Sequence, residues 1–307
     1  MRKLLAVLSL LLLPLLILEV GLRLSGRFMT YSERIGHPWR SAYSPEVESG
    51  LLLRYEPFEQ VEIDHGEFTS SWVTNQYGYR DQSANCMSEH TVFVYGDSFV
   101  EGIGAPDDSS IVSQFHSRLA ELNPEISVHS FGIAGSDPFY DFMALKHEHL
   151  ALHPDWVVFM LNESDLNDII LRGGRDRFDQ ENEEVVVKKG PWFEPLYGRS
   201  HLVRSVVHLN GYDFLLLQEE ERDAALQAAA DSLHVLLDHV STYCQRNGIG
   251  FLCVSIPVPQ WICPDLELPD QPLFEGSTPH VDVVCSFGNI VNDQTCQDLY
   301  WPIDGHY

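Results

Sequence analysis

A serine hydroxyl attacks an acyl carbon only when a base removes its proton, and an imidazole serves as that base when a carboxylate fixes its tautomer. The sequence holds such a set at two distant places. Thr91-Val92-Phe93-Val94-Tyr95-Gly96-Asp97-Ser98 carries a serine, and Asp304-Gly305-His306 carries a carboxylate and an imidazole. Each fragment alone has a plainer reading, a helix cap for Asp97 or Ser98 and a surface turn for Asp304-Gly305-His306. Together they define a candidate triad of Ser98 as nucleophile, His306 as base and Asp304 as orienting acid. The chemistry is acyl transfer from an ester, which needs neither metal nor cofactor.

Such a triad needs a scaffold that brings distant residues to one rim. The β-branched and aromatic run Thr91–Tyr95, ending at Gly96, reads as a buried strand feeding a tight turn. From there strand and helix signals alternate. Strands are expected at 91–95, near Ser127–Ser130, at Trp156–Leu161 and at Phe251–Ile256. Helices are expected over Ser109–Leu122, Pro138–Leu152 and Asp213–Arg246, the last carrying an apolar stripe of Leu226, Ala229, Ala230, Leu233, Leu236, Leu237 and Val240. The fold class is therefore α/β, a three-layer α/β/α domain over 91–307 with a mostly parallel, flavodoxin-like sheet. Insertions are expected near 172–212, as a flap with a short strand pair, and near 260–280. In such a sheet ligands bind outside the carboxyl ends of the strands. Three of those ends deliver Ser98, Gly135 and Asn162 with Ser164.

With these residues in place the sequence resembles the SGNH (GDSL-type) hydrolases over roughly residues 91–307. Gly96-Asp97-Ser98 matches the family's first block, and Phe131-Gly132-Ile133-Ala134-Gly135-Ser136 looks like its second. Val157–Leu161 followed by Asn162-Glu163-Ser164-Asp165 looks like the third, and Asp304-Gly305-His306 like the last. The resemblance implies an oxyanion hole formed by the backbone N–H groups of Ser98 and Gly135 with a side-chain donor from the third block. Ser164 stands where the family has asparagine, so that donor is Asn162 or Ser164. The last block is one residue shorter than the commoner Asp-x-x-His, as in a membrane-anchored branch. That branch also resembles the stretch Asn75-Gln76-Tyr77-Gly78-Tyr79-Arg80-Asp81. The implied activity is hydrolysis of acyl esters, O-acetyl groups of polysaccharide foremost. Two alternatives stay open: an O-acetyltransferase using the same triad, and a non-catalytic tethered carbohydrate-binding or assembly protein. A nucleotide-binding Rossmann domain is disfavoured, because Gly102-x-Gly104 lacks a third glycine and follows the turn too late.

Composition narrows the partners. Asp and Glu number 45 against 19 Lys and Arg, a net charge of −26. Such a chain repels phosphate backbones, which excludes nucleic acid as a partner. Met1-Arg2-Lys3 precedes an uncharged run from Leu4 to Leu18, with Arg23 and Arg27 beyond it and no small-residue cleavage pattern. Residues 1–26 read as an uncleaved signal-anchor, a transmembrane helix leaving the rest outside the cytoplasm, in the periplasm or at the cell surface, with a cleaved signal peptide as the second reading. Residues 27–90 read as a β-rich lead-in, with strands at Glu59–His65 and Phe68–Thr74. Tyr77, Tyr79 and Arg80 fit a packed turn better than a sugar cleft, and Trp192 and Phe193 fit burial against the domain better than sugar stacking. The chain ends one residue after His306, where the family fold places a further helix, so a fragment or an atypical terminus is expected.

Of six cysteines, Cys244 and Cys253 are expected as buried thiols, with one disulfide among Cys263, Cys285 and Cys296. No Cys-x-x-Cys pair occurs, which argues against structural zinc. His149 and His153 have the i, i+4 spacing of metal ligands, but a solvated helix face is the expected reading. His280 and Asp282 compete with His306 and Asp304, and are disfavoured because they precede the expected strand Val281–Val284.

Overall fold

The computed structural model describes residues 2–29, 55–81, 88–178, 190–256 and 278–282. His306, Asp304, Cys263, Cys285, Cys296, the expected strand pair at 185–187 and most of the 260–280 excursion lie outside them.

Five parallel strands form the centre: β3 (His90–Tyr95), β4 (Ile126–Ser130), β5 (Trp156–Leu161), β6 (Gly250–Ser255) and β7 (His280–Asp282), in the order β4-β3-β5-β6-β7. Each adjacent pair is parallel. This is the flavodoxin-like order, whose connections reverse direction between β3 and β5 and open a crevice at their carboxyl ends. A strand covered on both faces must be apolar throughout, and the burial divides accordingly. Phe93, Tyr95, Val157, Phe159, Leu161, Phe251 and Cys253 face one core. Val92, Val94, Val158, Met160, Leu252 and Val254 face the other.

Helices close both faces. Helix α2 (Ser98–Glu101) follows β3, and α3 (Ile111–Leu122), capped by Ser110, covers the second core with Val112, Phe115 and Leu119. On the first core lie α4 (Pro138–Ala144), α5 (Ser164–Arg172) and α8 (Glu219–Arg246). Of the stripe expected on α8, Ala229, Leu233, Leu236, Leu237 and Val240 are buried, and Leu226 and Ala230 are half-buried. Its first turn begins at Glu219, six residues after the expected start, because Gln218 and Glu221 form a capping box there. Helix α4 does not continue regularly to Leu152. It widens into a π-turn over Leu145–His149 and tightens over Leu150–Leu152. That widening brings His149 inside. The ring is 1% exposed, bonds Tyr95 Oη through Nδ1 at 3.0 Å and stacks on Phe131 at 4.0 Å. His149 is therefore a core residue, and the solvated face expected for it is corrected.

The lead-in holds the two expected short strands, β1 (Gln60–Asp64) and β2 (Thr69–Val73), which pair antiparallel. The packed turn after it is also found. Tyr79 is 1% exposed, and Arg80 donates to the Gly102 and Ala105 carbonyls and to Asp107. The insertion near 172–212 is helical where it is described: α6 (Glu194–Tyr197) and α7 (His201–Leu209). Phe193 is half-buried, but Trp192 is 85% exposed, so the burial expected for it is corrected. Strand β7 contains His280 and Asp282, where a strand at 281–284 was expected.

The leading segment forms α1 (Arg2–Ser25). Among the described residues no helix is long and apolar enough to cross a membrane. The acid in this segment has an unexpected use. Glu19 accepts from Ser200 Oγ at 2.8 Å, from the backbone N–H of His201 at 3.1 Å and from that of Leu202 at 2.8 Å. It thereby caps α7, whose first N–H groups have no partner within their own helix. Arg204 Nη1 donates to the Phe28 carbonyl at 2.7 Å and completes the joint.

Candidate active site

Ser98 is positioned by a strand that cannot continue. Gly96 turns the chain at φ 155°, where a Cβ would lie 2.5 Å from Val100 Cγ2 and 2.6 Å from the Met160 carbonyl oxygen. Asp97 then caps α2 by accepting from Phe99 N at 3.0 Å. Ser98 opens that helix and is half-buried, between the buried carboxyl end of β3 and solvent. It stands at the carboxyl end of β3, beside the crevice between β3 and β5.

The loop after β4 is bound to the same turn. Ile133 N donates to the Gly96 carbonyl at 3.1 Å, and Ser136 Oγ donates to the same oxygen at 3.0 Å. Gly135 lies between them at φ 74°, a left-handed conformation that glycine adopts without strain. One carbonyl thus fixes Gly135 relative to the Ser98 turn. Asn162 and Ser164 arrive from the end of β5. Asn162 Nδ2 donates to Asp97 Oδ2 at 3.0 Å, Ser164 Oγ lies 3.0 Å from the same oxygen, and Ser164 Oγ lies 2.6 Å from Asn162 Oδ1. Asn162 is 1% exposed. The structure therefore brings Ser98, Gly135, Asn162 and Ser164 to one edge, and commits the two side-chain donors to Asp97.

Behind this edge is an acidic cluster that sequence reasoning missed. Asp137, Asp141, Asp165 and Asp168 are gathered near Asp97, with Arg177 and Arg172 among them. Burial, with Asp137 next to it, pushes the Asp141 carboxyl well above the ordinary range. Burial, with Asp97 next to it, does the same to Asp165. Arg177 Nη1 pairs with Asp137 Oδ2 at 3.2 Å. Arg172 Nε lies 3.5 Å from Asp168 Oδ1, and its Nη2 would lie 2.5 Å from a Cβ on Gly135, so the guanidinium faces that glycine directly. The sequence signal was the i, i+4 pair Asp168/Arg172 on the helix after β5.

Burial raises Asp168 from 3.8 to about 7 despite Arg172 beside it. In that window the folded protein holds a proton that the unfolded chain has released, so stability falls as pH rises from 3.8 to about 7. Asp168→Asn removes this slope. The variant should gain stability relative to wild type across the same window, measured by urea unfolding at a series of pH values. A difference independent of pH would contradict the assignment.

A complete Ser–His–Asp chain does occur elsewhere. Asp81 Oδ2 lies 3.1 Å from His129 Nδ1, and His129 Nε2 lies 3.0 Å from Ser127 Oγ. His129 and Ser127 are each 2% exposed, so no substrate reaches that hydroxyl. Ser127 pairs with Thr91 near the amino ends of the strands, the edge opposite Ser98. The chain ties the lead-in to the sheet. His280 is held in β7 opposite Cys253, before the carboxyl end of its strand. Among the described residues no group of three or more His, Cys, Asp or Glu could hold a metal ion. Cys244 and Cys253 are free and buried, and burial pushes both thiols up to about 12.

No protein-family profile matches the sequence, and no curated protein matches it. Solved structures similar to the chain include TesA, at 15% identity and a TM-score of 0.31, over 57% of this chain and 66% of that one. They include AlinE4, an SGNH-hydrolase family esterase, at 14% identity and a TM-score of 0.30, over 54% of this chain and 58% of that one. A catalytic mutant of Axe2, an acetylxylan esterase from Geobacillus stearothermophilus, matches at 14% identity and a TM-score of 0.31, over 57% of this chain and 64% of that one. The chain thus spans less than two thirds of the length of each.

Proposed function

We propose that this protein is an SGNH-type serine esterase that removes acyl groups, O-acetyl groups of polysaccharide foremost, by a Ser-His-Asp mechanism. The observation that carries the reading is the half-buried Ser98 at the carboxyl end of β3, with the Gly135 loop bound to the same turn through the Gly96 carbonyl. Ser98 Oγ attacks the ester carbonyl carbon as His306 takes its proton and Asp304 orients His306. The oxyanion is met by the backbone N–H groups of Ser98 and Gly135. Asn162 and Ser164 act through Asp97, bracing the turn that aims those groups. The proton passes to the leaving alcohol, and water then releases the acid from Ser98. Each lost oxyanion donor costs on the order of 10²–10³ in rate.

The protein is held outside the cytoplasm through α1, whose Leu10, Leu12, Leu13, Leu15, Leu16 and Ile17 are all exposed. The full chain should float with membranes, and a form lacking α1 should not.

A serine-directed fluorophosphonate tests the catalytic reading. Peptide mapping should find the adduct on Ser98, and denaturation beforehand should prevent labelling. No adduct on the folded chain, or an adduct elsewhere, would favour the non-catalytic binding alternative.

A further inference from the structure

Helix α7 is largely inverted. It buries the polar residues His201, Arg204 and Ser205, half-buries Leu202, Val203 and Val207, and leaves Val206 51% and Leu209 83% exposed beside an exposed His208. Leu202, Val206 and Leu209 follow the i, i+4, i+7 spacing of one stripe. Flanking segments extend the same character, with Trp192 85%, Leu196 52% and Phe214 54% exposed. A helix facing water does the reverse, and large exposed apolar patches mark interaction sites.

Continuity with α1 indicates the occupant. Glu19 and Phe28 fix the end of α1 against α7 by the contacts described above, and Phe28 stacks on His208 at 6.2 Å. The exposed leucines of α1 therefore lead directly into the exposed stripe of α7. Trp192 packs edge-on against Phe193, and Phe193 against Tyr212, which places a set of aromatic rings beside the stripe. Tryptophan and tyrosine favour the boundary between headgroups and acyl chains. The net charge of −26 excludes attraction to anionic lipid as the cause.

We infer that the α6–α7 segment, from Trp192 to Phe214, lies on a lipid bilayer as an interfacial apolar surface alongside α1, so that the body of the protein and not α1 alone contacts the membrane. This rests on the proposed tether, which both indicates lipid as the occupant and brings the surface to it; it is independent of the chemistry at Ser98. Such binding follows buried apolar area and a polar face turned away from lipid. Here the polar face is turned into the protein.

The test uses the full chain on zwitterionic phosphatidylcholine vesicles, with brominated acyl chains as quencher. Flotation reads the tether, and the difference in emission between wild type and Trp192→Phe isolates the contribution of Trp192. That contribution should be lost to the quencher, equally in low and high salt, and should survive in Val206→Glu/Leu209→Glu. A urea midpoint of the double variant matching wild type confirms that it is folded. Three outcomes would overturn the inference. The chain floats with Trp192 unquenched, quenching requires anionic lipid, or the stripe becomes protected without lipid in proportion to protein concentration, which assigns it to a second copy of the chain.

Discussion

Ser98→Ala should bring turnover of p-nitrophenyl acetate down to background, a loss on the order of 10⁴–10⁶ in kcat. The size follows from the reaction: without the hydroxyl no acyl-enzyme forms, and the remaining groups only orient a water poorly suited to replace it. The fold should be unaffected. Asp97 caps α2 through Phe99 N, not through the Ser98 side chain, and Gly96 makes the turn whatever residue follows Asp97. An unchanged melting temperature with abolished turnover is the expected pair of results. Retained turnover would remove Ser98 from the chemistry and leave the site a binding cleft.

Gly132→Ala should destabilise the protein by about 3 kcal/mol, at the upper end for overpacking. A Cβ at 132 would lie 2.3 Å from Glu101 N and 2.6 Å from the Val100 carbonyl carbon. Both are backbone atoms of α2, so no side chain can swing aside. Either the β4 loop lifts away from Gly96 or α2 shifts with Ser98 at its first position. The urea midpoint should fall, and the residual folded protein should also lose activity, because both escape routes separate Gly135 from Ser98. A melting curve matching wild type would mean that the two loops are not packed as described.

Much of this site was legible in the sequence because its parts are local. An uninterrupted β-branched and aromatic run ending at Gly96 can be little else than a buried strand and its turn, and the same holds for Trp156–Leu161. Their parallel pairing then carries Ser98, Gly135 and Asn162 to one rim. What could not be read depends on pairings across the chain. Nothing local indicates that Asp97 receives Asn162 and Ser164, which stand 65 and 67 positions further on. Asp168 and Arg172 carry only the local signal of their i, i+4 spacing, and their helix was not expected, since five of its nine residues, Ser164, Asp165, Asn167, Asp168 and Arg172, are polar. The π-turn that buries His149 is similarly silent, because a histidine among Lys146, His147 and Glu148 looks solvated until the helix is seen to widen.

The joint between Glu19 and α7 changes how the leader should be regarded. A carboxylate in an oily segment would ordinarily be a fault in a targeting sequence. Here it closes the start of a helix 181 positions downstream, and the carbonyl of Phe28 receives a buried guanidinium from the same helix. A protease that clipped the leader away would take with it a keystone of the 192–214 region, so a trimmed protein should be looser there than the whole one even where the edge around Ser98 is left intact.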